Sequence, residues 1–247
     1  MTKYLQRYTL LDMTKDVEFL IRICKAAAEL ITDEFILMPA MISAKAHLDD
    51  LVTDFDLAIE RFLVSEVKKE YPDFDIVSEE FNSAGQLTEN CFTIDPIDGT
   101  VNFAHGLPLW GIQVACVRGG KTVASVIYMP KLGELYHADE SGAYLNGKSI
   151  RVSSLPFNKS LLDFSVPVAG VNKRNTRATY CAAVQFAWVA AGRLGGIYHR
   201  NRNLWDIVPG RYLVEQAGGV GCYIDGYVAA NSKELLQLLM KECNNLT

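Results

Sequence analysis

An α+β fold, with helices flanking mixed and largely antiparallel sheets, is predicted by three features of the 247-residue chain. Two amphipathic helical patterns lie in the first third. A series of short apolar runs separated by Gly-Gly and Asn-Gly turns fills the middle. Helical and strand patterns then alternate again from about residue 176.

Taken in order, "DVEFLIRICKAAAELITDEF" (16–35) puts Phe19, Leu20, Ile23, Ala27, Leu30 and Ile31 on one helical stripe. The following "ILMPAMISAKAHLDD" loses that period and reads as a connecting segment. "TDFDLAIERFLVSEVKKEY" (53–71) is a second helix, opened by Thr53 and Asp56 in capping-box spacing and stopped by Pro72. "FDIVSEE" and "NCFTIDP" are strands that deliver carboxylates at their ends. "WGIQVACVRGGKTVASVIYMP" is a strand, a Gly119-Gly120 turn and a second strand, and Asn146-Gly147 signals a further hairpin. "WDIVPGRYLVEQAGG" (205–219) is a helix, with Pro209 expected in its first turn and Gly218-Gly219 at its end. No repeat or low-complexity segment interrupts the chain, and one domain over 1–247, with halves near 1–150 and 151–247, is expected.

Composition narrows the function classes. A net charge of −5 offers no basic field for nucleic acid or an anionic membrane, and no run of about eighteen apolar residues exists. The first residues mix charge with apolar side chains and do not form a secretory signal. The six cysteines lie far apart without a C-x-x-C pair, which points to reduced thiols in a cytoplasmic protein rather than a zinc site or disulfide framework.

The chemistry lies in the acids. Asp56 begins a helix, Glu79 and Glu80 follow a strand, Asp95 and Asp98 flank a Pro-Ile pair, and Asp206 lies at a helix start. Each alone has an ordinary reading as a cap, a turn or a solvated loop. Carboxylates without His or Cys clusters select hard cations such as magnesium. Pro96 keeps Asp95 extended and Gly99 allows a sharp turn, so both acids can face one point, with the Ile97 carbonyl between them. A helix starting at Gly99 and Thr100 would aim N–H groups at an anion. Spacing alone does not bring the distant acids together.

"DPIDGTVNFAHGLPLWGIQVACVRGGK" with "WDIVPGRYLVEQAGG" resembles the inositol monophosphatase family of magnesium-dependent, lithium-sensitive phosphatases. "LVTDFD" (51–56), "IVSEE" (76–80) and "GELYHADESGAYLNGKSIRVS" (133–153) extend the likeness through nearly the whole chain, in order. The resemblance implies a layered αβαβα sandwich, usually a homodimer, that uses two to three Mg2+ ions to hydrolyse a small phosphorylated metabolite. It implies that Glu79, Asp95 and the Ile97 carbonyl hold one metal and that Asp95, Asp98 and Asp206 hold a second. Glu79 would also share a third, weaker site. Thr100 and Asp56 match the pair that helps deprotonate the attacking water, and the Gly99 and Thr100 N–H groups match the phosphate cradle. Lys45 matches a basic residue near the metals.

Two stretches depart from the family pattern. In "GGIYHRNRNLWD", His199 stands where family members acting on inositol phosphate often carry a Glu that binds sugar hydroxyls. Arg200 and Arg202 follow, so the stretch is read as recognising a second phosphate or another anion, or as a dimer edge or a solvated loop. Tyr180-Cys181 replaces a small Gly-Ser or Gly-Thr pair, which either narrows the pocket or repacks a helix. Inositol 1-phosphate is the leading substrate expectation. Fructose 1,6-bisphosphate and phosphoadenosine phosphate are alternatives, and a protein-binding regulatory role is a reading of another class.

Overall fold

The computed structural model describes residues 13–31, 42–44, 51–164 and 175–244, with the backbone alone for 42–44 and 51–53. Helix α1 (Lys15–Ala28) opens on Thr14, whose hydroxyl accepts from the Val17 N–H. It ends earlier than the sequence pattern suggests, because the chain turns at Glu29 and Leu30, where the stripe runs onto exposed positions. Strands β1 (Ile42–Ala44) and β2 (Leu51–Thr53) pair antiparallel, so the segment read as a connection contains half of a two-stranded sheet. Lys45 lies outside the described residues.

Helix α2 (Asp54–Glu70) buries Asp56, Ile59, Glu60, Leu63 and Val67, a stripe with two acids in it. A seven-stranded sheet follows, in the order β3 (Asp75–Ser78), β4 (Cys91–Asp98), β5 (Gly111–Arg118), β6 (Lys121–Met129), β7 (Glu134–Asp139), β8 (Gly142–Leu145), β9 (Lys148–Ser149). Only β3 and β4 are parallel; the rest is an antiparallel meander with the predicted turns at Gly119-Gly120 and Asn146-Gly147. Between β4 and β5 lies the short helix α3 (Thr100–Ala104).

The second sheet has the order β11-β10-β12-β14-β13, from β10 (Leu162–Phe164), β11 (Thr176–Arg177), β12 (Gly196–His199), β13 (Val220–Ile224) and β14 (Gly226–Ala230). Helices α4 (Ala182–Ala190) and α5 (Leu204–Gln216) lie between the two sheets, and α6 (Lys233–Asn244) covers the far side of the second. Three of the apolar cores among the described residues record these layers. Val17, Leu20, Ile59, Phe92 and Ile94 join α1 and α2 to the first sheet; Ile127, Tyr136, Phe186, Leu213 and Ala229 join both sheets through α4 and α5; Val228, Leu235 and Leu239 seat α6. The architecture is an αβαβα sandwich with mixed sheets.

Pro209 sits in the second turn of α5, not the first, because Asn203 caps the helix and Leu204 begins it. Gly218 and Gly219 do end it, donating to the carbonyls of Glu215 and Val214 at 3.0 and 2.9 Å in a Schellman closure. Helices α4 and α5 approach so closely that a Cβ on Gly210 would come within 2.3 Å of the Phe186 side chain.

Candidate active site

Strand β4 builds the first half of the site through a break in its own regularity. Cys91 packs toward α5, whereas Phe92 and Ile94 pack toward α1 and α2, as alternation requires. Asp95 pairs with Gln113 but Asp98 with Gly111, so three steps on β4 oppose two on β5. Ile97 belongs to the α1/α2 core, the opposite side from Asp95. The extra residue is accommodated at Pro96-Ile97, where Pro96 has no N–H to lose from the ladder. This bulge turns Asp95 and Asp98, three residues apart, toward the same layer.

Gly99 then takes φ +84° and starts α3. A Cβ there would meet Leu109 O at 3.0 Å and Cys181 Sγ at 3.1 Å, so conformation and space both require glycine. The Thr100 hydroxyl donates to Ile97 O at 3.0 Å and lies 3.5 Å from Asp56 Oδ1, which α2 presents from its buried face.

Helix α5 supplies Asp206 in its first turn. One carboxylate oxygen each from Asp95, Asp98 and Asp206 lie within 4.8 Å of one another, and all three side chains are buried. Asp98 also accepts from the Ala183 N–H, capping α4 from a different layer in place of a side chain on α4 itself, and Cys181 Sγ lies 3.1 Å from the same oxygen. The first turns of α3, α4 and α5 thus converge on the acids, and their partial positive charge favours anions there.

Glu79 follows β3, its N–H bonded to Ile94 O at 3.3 Å, and it is half-buried. Burial, followed by the charges of Glu79, Asp98 and Asp206, drives the Asp95 carboxyl well above the usual carboxylate range. Burial and Asp206 push Asp98 up to about 6. Two like charges about 4 Å apart repel by about 4 kcal/mol at an effective dielectric constant near 20. A divalent cation converts that repulsion into attraction, and Asp95 Oδ1 is buried without any hydrogen-bond donor. Three hard oxygens, no sulfur or imidazole in the set, and a buried Asp95 oxygen with no donor fit Mg2+. Asp95, Asp98 and Asp206 would hold it, with Glu79 at the rim.

The basic stretch before α5 is divided by the fold. His199 is 6 % exposed. Its Nδ1 is 2.9 Å from Gln185 Oε1 and its Nε2 is 3.5 Å from Asp206 Oδ2. Burial works against its charged form, but Asp206, Asp98 and Asp163 outweigh it and raise the imidazole pKa. Arg200 is exposed, and Arg202 reaches the β13–β14 turn, where it bonds Ile224 O and lies 3.5 Å from Asp225 Oδ1.

Sequence reasoning passed over Glu60, whose two oxygens accept from the Glu80 and Phe81 N–H groups at 2.8 Å each. It fixes the turn that carries Glu79. Gln185 and Asp163 were also missed, as was Gln113, whose Nε2 lies 3.4 Å from Asp95 Oδ2. The available signal was a polar residue at a position where the helix or strand pattern demands an apolar one.

A family model described as the inositol monophosphatase family matches residues 12–245. The chain is 36 % identical over 192 residues to a fructose-1,6-bisphosphatase/inositol-1-monophosphatase of Thermotoga maritima, covering 72 % of this chain and 73 % of the relative. It is 30 % identical over 218 residues to the Nus factor SuhB of Escherichia coli, covering 81 % and 82 %. Among solved structures, a Thermotoga maritima IMPase superposes with a TM-score of 0.82 at 28 % identity, over 95 % of this chain and 100 % of that one.

Proposed function

The chain belongs to the inositol monophosphatase family and is a phosphoric monoester hydrolase, and from that premise we propose that it releases phosphate from inositol 1-phosphate or a related polyol or sugar phosphate with the help of Mg2+. The observation that carries this reading is the convergence of Asp95, Asp98 and Asp206, buried and within 4.8 Å, with an Asp95 oxygen lacking a donor.

When bound, the cations neutralise phosphate oxygens, activate a water and stabilise the leaving alkoxide. The chain's own groups do the rest. The N–H groups of Gly99 and Thr100 orient the phosphoryl oxygens at the start of α3. Thr100 Oγ1 and Asp56 Oδ1, 3.5 Å apart, take up the proton of the attacking water. Asp56 is fully buried, which keeps bulk water from competing for that proton. Glu79, steadied through Glu60, completes the acidic rim.

The substrate reading rests on His199, Arg200 and Arg202 as well. His199 stands where a hydroxyl-accepting Glu is usual, but its Nδ1 is on Gln185 and its Nε2 against Asp206. It therefore removes an acidic hydroxyl acceptor without turning a ring nitrogen to the substrate, and recognition of an anion there rests on Arg200 and Arg202. Phosphate release from inositol 1-phosphate and from fructose 1,6-bisphosphate, with Asp98→Asn as control, tests both levels. No release from a panel of polyol, sugar and nucleotide monophosphates at millimolar Mg2+ would defeat the enzymatic reading. Preference for the bisphosphate would assign the second phosphate to the arginines.

The similarity to SuhB supports a second reading, in which this chain also acts through a protein partner of the transcription machinery. A native pull-down that recovers the chain alone counts against it.

A further inference from the structure

Asp163 is an acid on β10 with 0 % exposure, in the apolar layer between the second sheet and α4. Such a group is kept only when its oxygens are satisfied. Asp163 accepts from the Thr179 N–H, 3.4 Å from Oδ1 and 3.2 Å from Oδ2, and from Gln185 Nε2 at 2.6 Å. A carboxylate only accepts, so Gln185 must turn its NH2 to Asp163 and its Oε1 away. That oxygen lies 2.9 Å from His199 Nδ1, so Nδ1 donates. The remaining ring nitrogen, Nε2, is left facing Asp206 Oδ2 at 3.5 Å. Asn203 Nδ2 holds the same oxygen at 3.1 Å from the other side.

The hydrogen bonds run from Thr179 through Asp163 and Gln185 to His199. The Nε2 edge of that ring, which makes no hydrogen bond of its own, packs against an acid of the cluster at 3.5 Å. Gln185 and Asp163 are completely buried and His199 nearly so, so none of the three is a surface solubility group. The Thr179 carbonyl also accepts from Asn102 Nδ2 at 2.9 Å, which ties the same loop to α3. The network therefore joins the second sheet, α4 and α3 to the one acid that α5 contributes.

We propose that Asp163, Gln185 and His199 form a positioning relay that aims the Asp206 carboxylate at the cation, with Gln185 as its middle link. The relay rests on the reading of Asp206 as a cation ligand. None of its three members touches the substrate phosphate through this role; they act through Asp206. Outer-shell partners of this kind typically change cation affinity about 10- to 100-fold when removed. A role confined to packing would instead lower stability and leave affinity alone.

Calorimetric titration of the full chain with Mg2+ alone distinguishes the two. Gln185→Leu keeps the volume and removes the link; its affinity for one cation should fall about 10-fold or more, with substrate KM unchanged and kcat recovering as Mg2+ is raised. Affinity within twofold of the parent overturns the relay. If Gln185→Leu does not fold, the pair His199→Gln and His199→Asn decides, because Gln places an amide near Nε2 and Asn places one near Nδ1. His199→Gln should retain Mg2+ better than His199→Asn by about 10-fold; equal affinities overturn the relay. Asp206→Asn separates the premises. If it binds Mg2+ like the parent, the reading of Asp206 as a ligand fails and the relay with it. If it loses a cation while the other variants do not, only the relay fails.

Discussion

Asp98→Asn removes one charge from the carboxylate cluster yet leaves an oxygen to accept from the Ala183 N–H, so it isolates the electrostatic cost of the site. Burial and Asp206 raise the Asp98 carboxyl from its ordinary 3.8 to about 6. Between those values the folded protein holds a proton there that the unfolded chain has lost. Stability therefore falls as pH rises through that window and levels off above it. At about 1.4 kcal/mol per pH unit, the charged Asp98 costs the metal-free protein about 3 kcal/mol at neutral pH. That is a large part of the roughly 5–15 kcal/mol that holds a typical domain together.

In excess chelator, Asp98→Asn should accordingly be more stable than the parent by about 3 kcal/mol at pH 8, and by nearly nothing at pH 4. Relief of Asp95, whose own upward shift owes part of its size to Asp98, adds to the gain. Mg2+ should close most of that gap. At a hundredfold excess over its dissociation constant it stabilises the parent by about 2.7 kcal/mol, and the variant by much less. Urea unfolding at pH 4, 6 and 8, with and without Mg2+, measures all of this, because groups common to both proteins cancel in the difference. A metal-free Asp98→Asn no more stable than the parent at pH 8, or a difference independent of pH, would refute the reasoning.

Other substitutions probe separate parts of the site. Glu60→Ala strands the Glu80 and Phe81 N–H groups and should cost about 2–3 kcal/mol in urea unfolding; Glu60→Gln, which keeps one acceptor oxygen, should cost about half as much. Thr100→Val keeps the shape and removes the hydroxyl, so kcat should fall about 100-fold with KM little changed. A fall smaller than threefold would remove Thr100 from the proton path. Gly210→Ala must part α5 from Phe186 of α4 and should lose about 1–3 kcal/mol by calorimetry; parental stability would mean that the helices part without cost.

The middle of the chain was the most legible because its structure is local. Gly119-Gly120 and Asn146-Gly147 dictate hairpins whatever surrounds them, and β5 through β9 follow as a meander. The apolar stripe of α2 was equally direct. Helix α1 was overrun at its C-terminal end because Leu30 and Ile31 continue the apolar period where their N–H groups already bond three residues back, to Ala27 and Ala28, and pattern does not record that change of turn. Pro209 was placed one turn too early for a similar reason. Asn203, which starts the helix, makes no side-chain cap and left no signature to count from.

The acids separated into two kinds. Asp95 and Asp98 could be paired from the turn chemistry around them, although the bulge that turns both to one layer is a property of the β4–β5 ladder and is not written in β4 alone. Asp206 could not be joined to them by spacing, since more than a hundred residues intervene; only the α5 packing between the sheets brings it there. Glu60, Asp163 and Gln185 carry a different lesson. Each sits where an apolar residue belongs, on the buried stripe of α2, in a core strand, and in the otherwise apolar α4. A buried polar side chain weakens a core unless something answers it. Here the answers are the Glu80 and Phe81 N–H groups for Glu60, the Thr179 N–H and Gln185 for Asp163, and Asp163 and His199 for Gln185. The breaks in the hydrophobic pattern thus mark the groups proposed to hold the acids in place, whereas the family motif marks only the acids themselves.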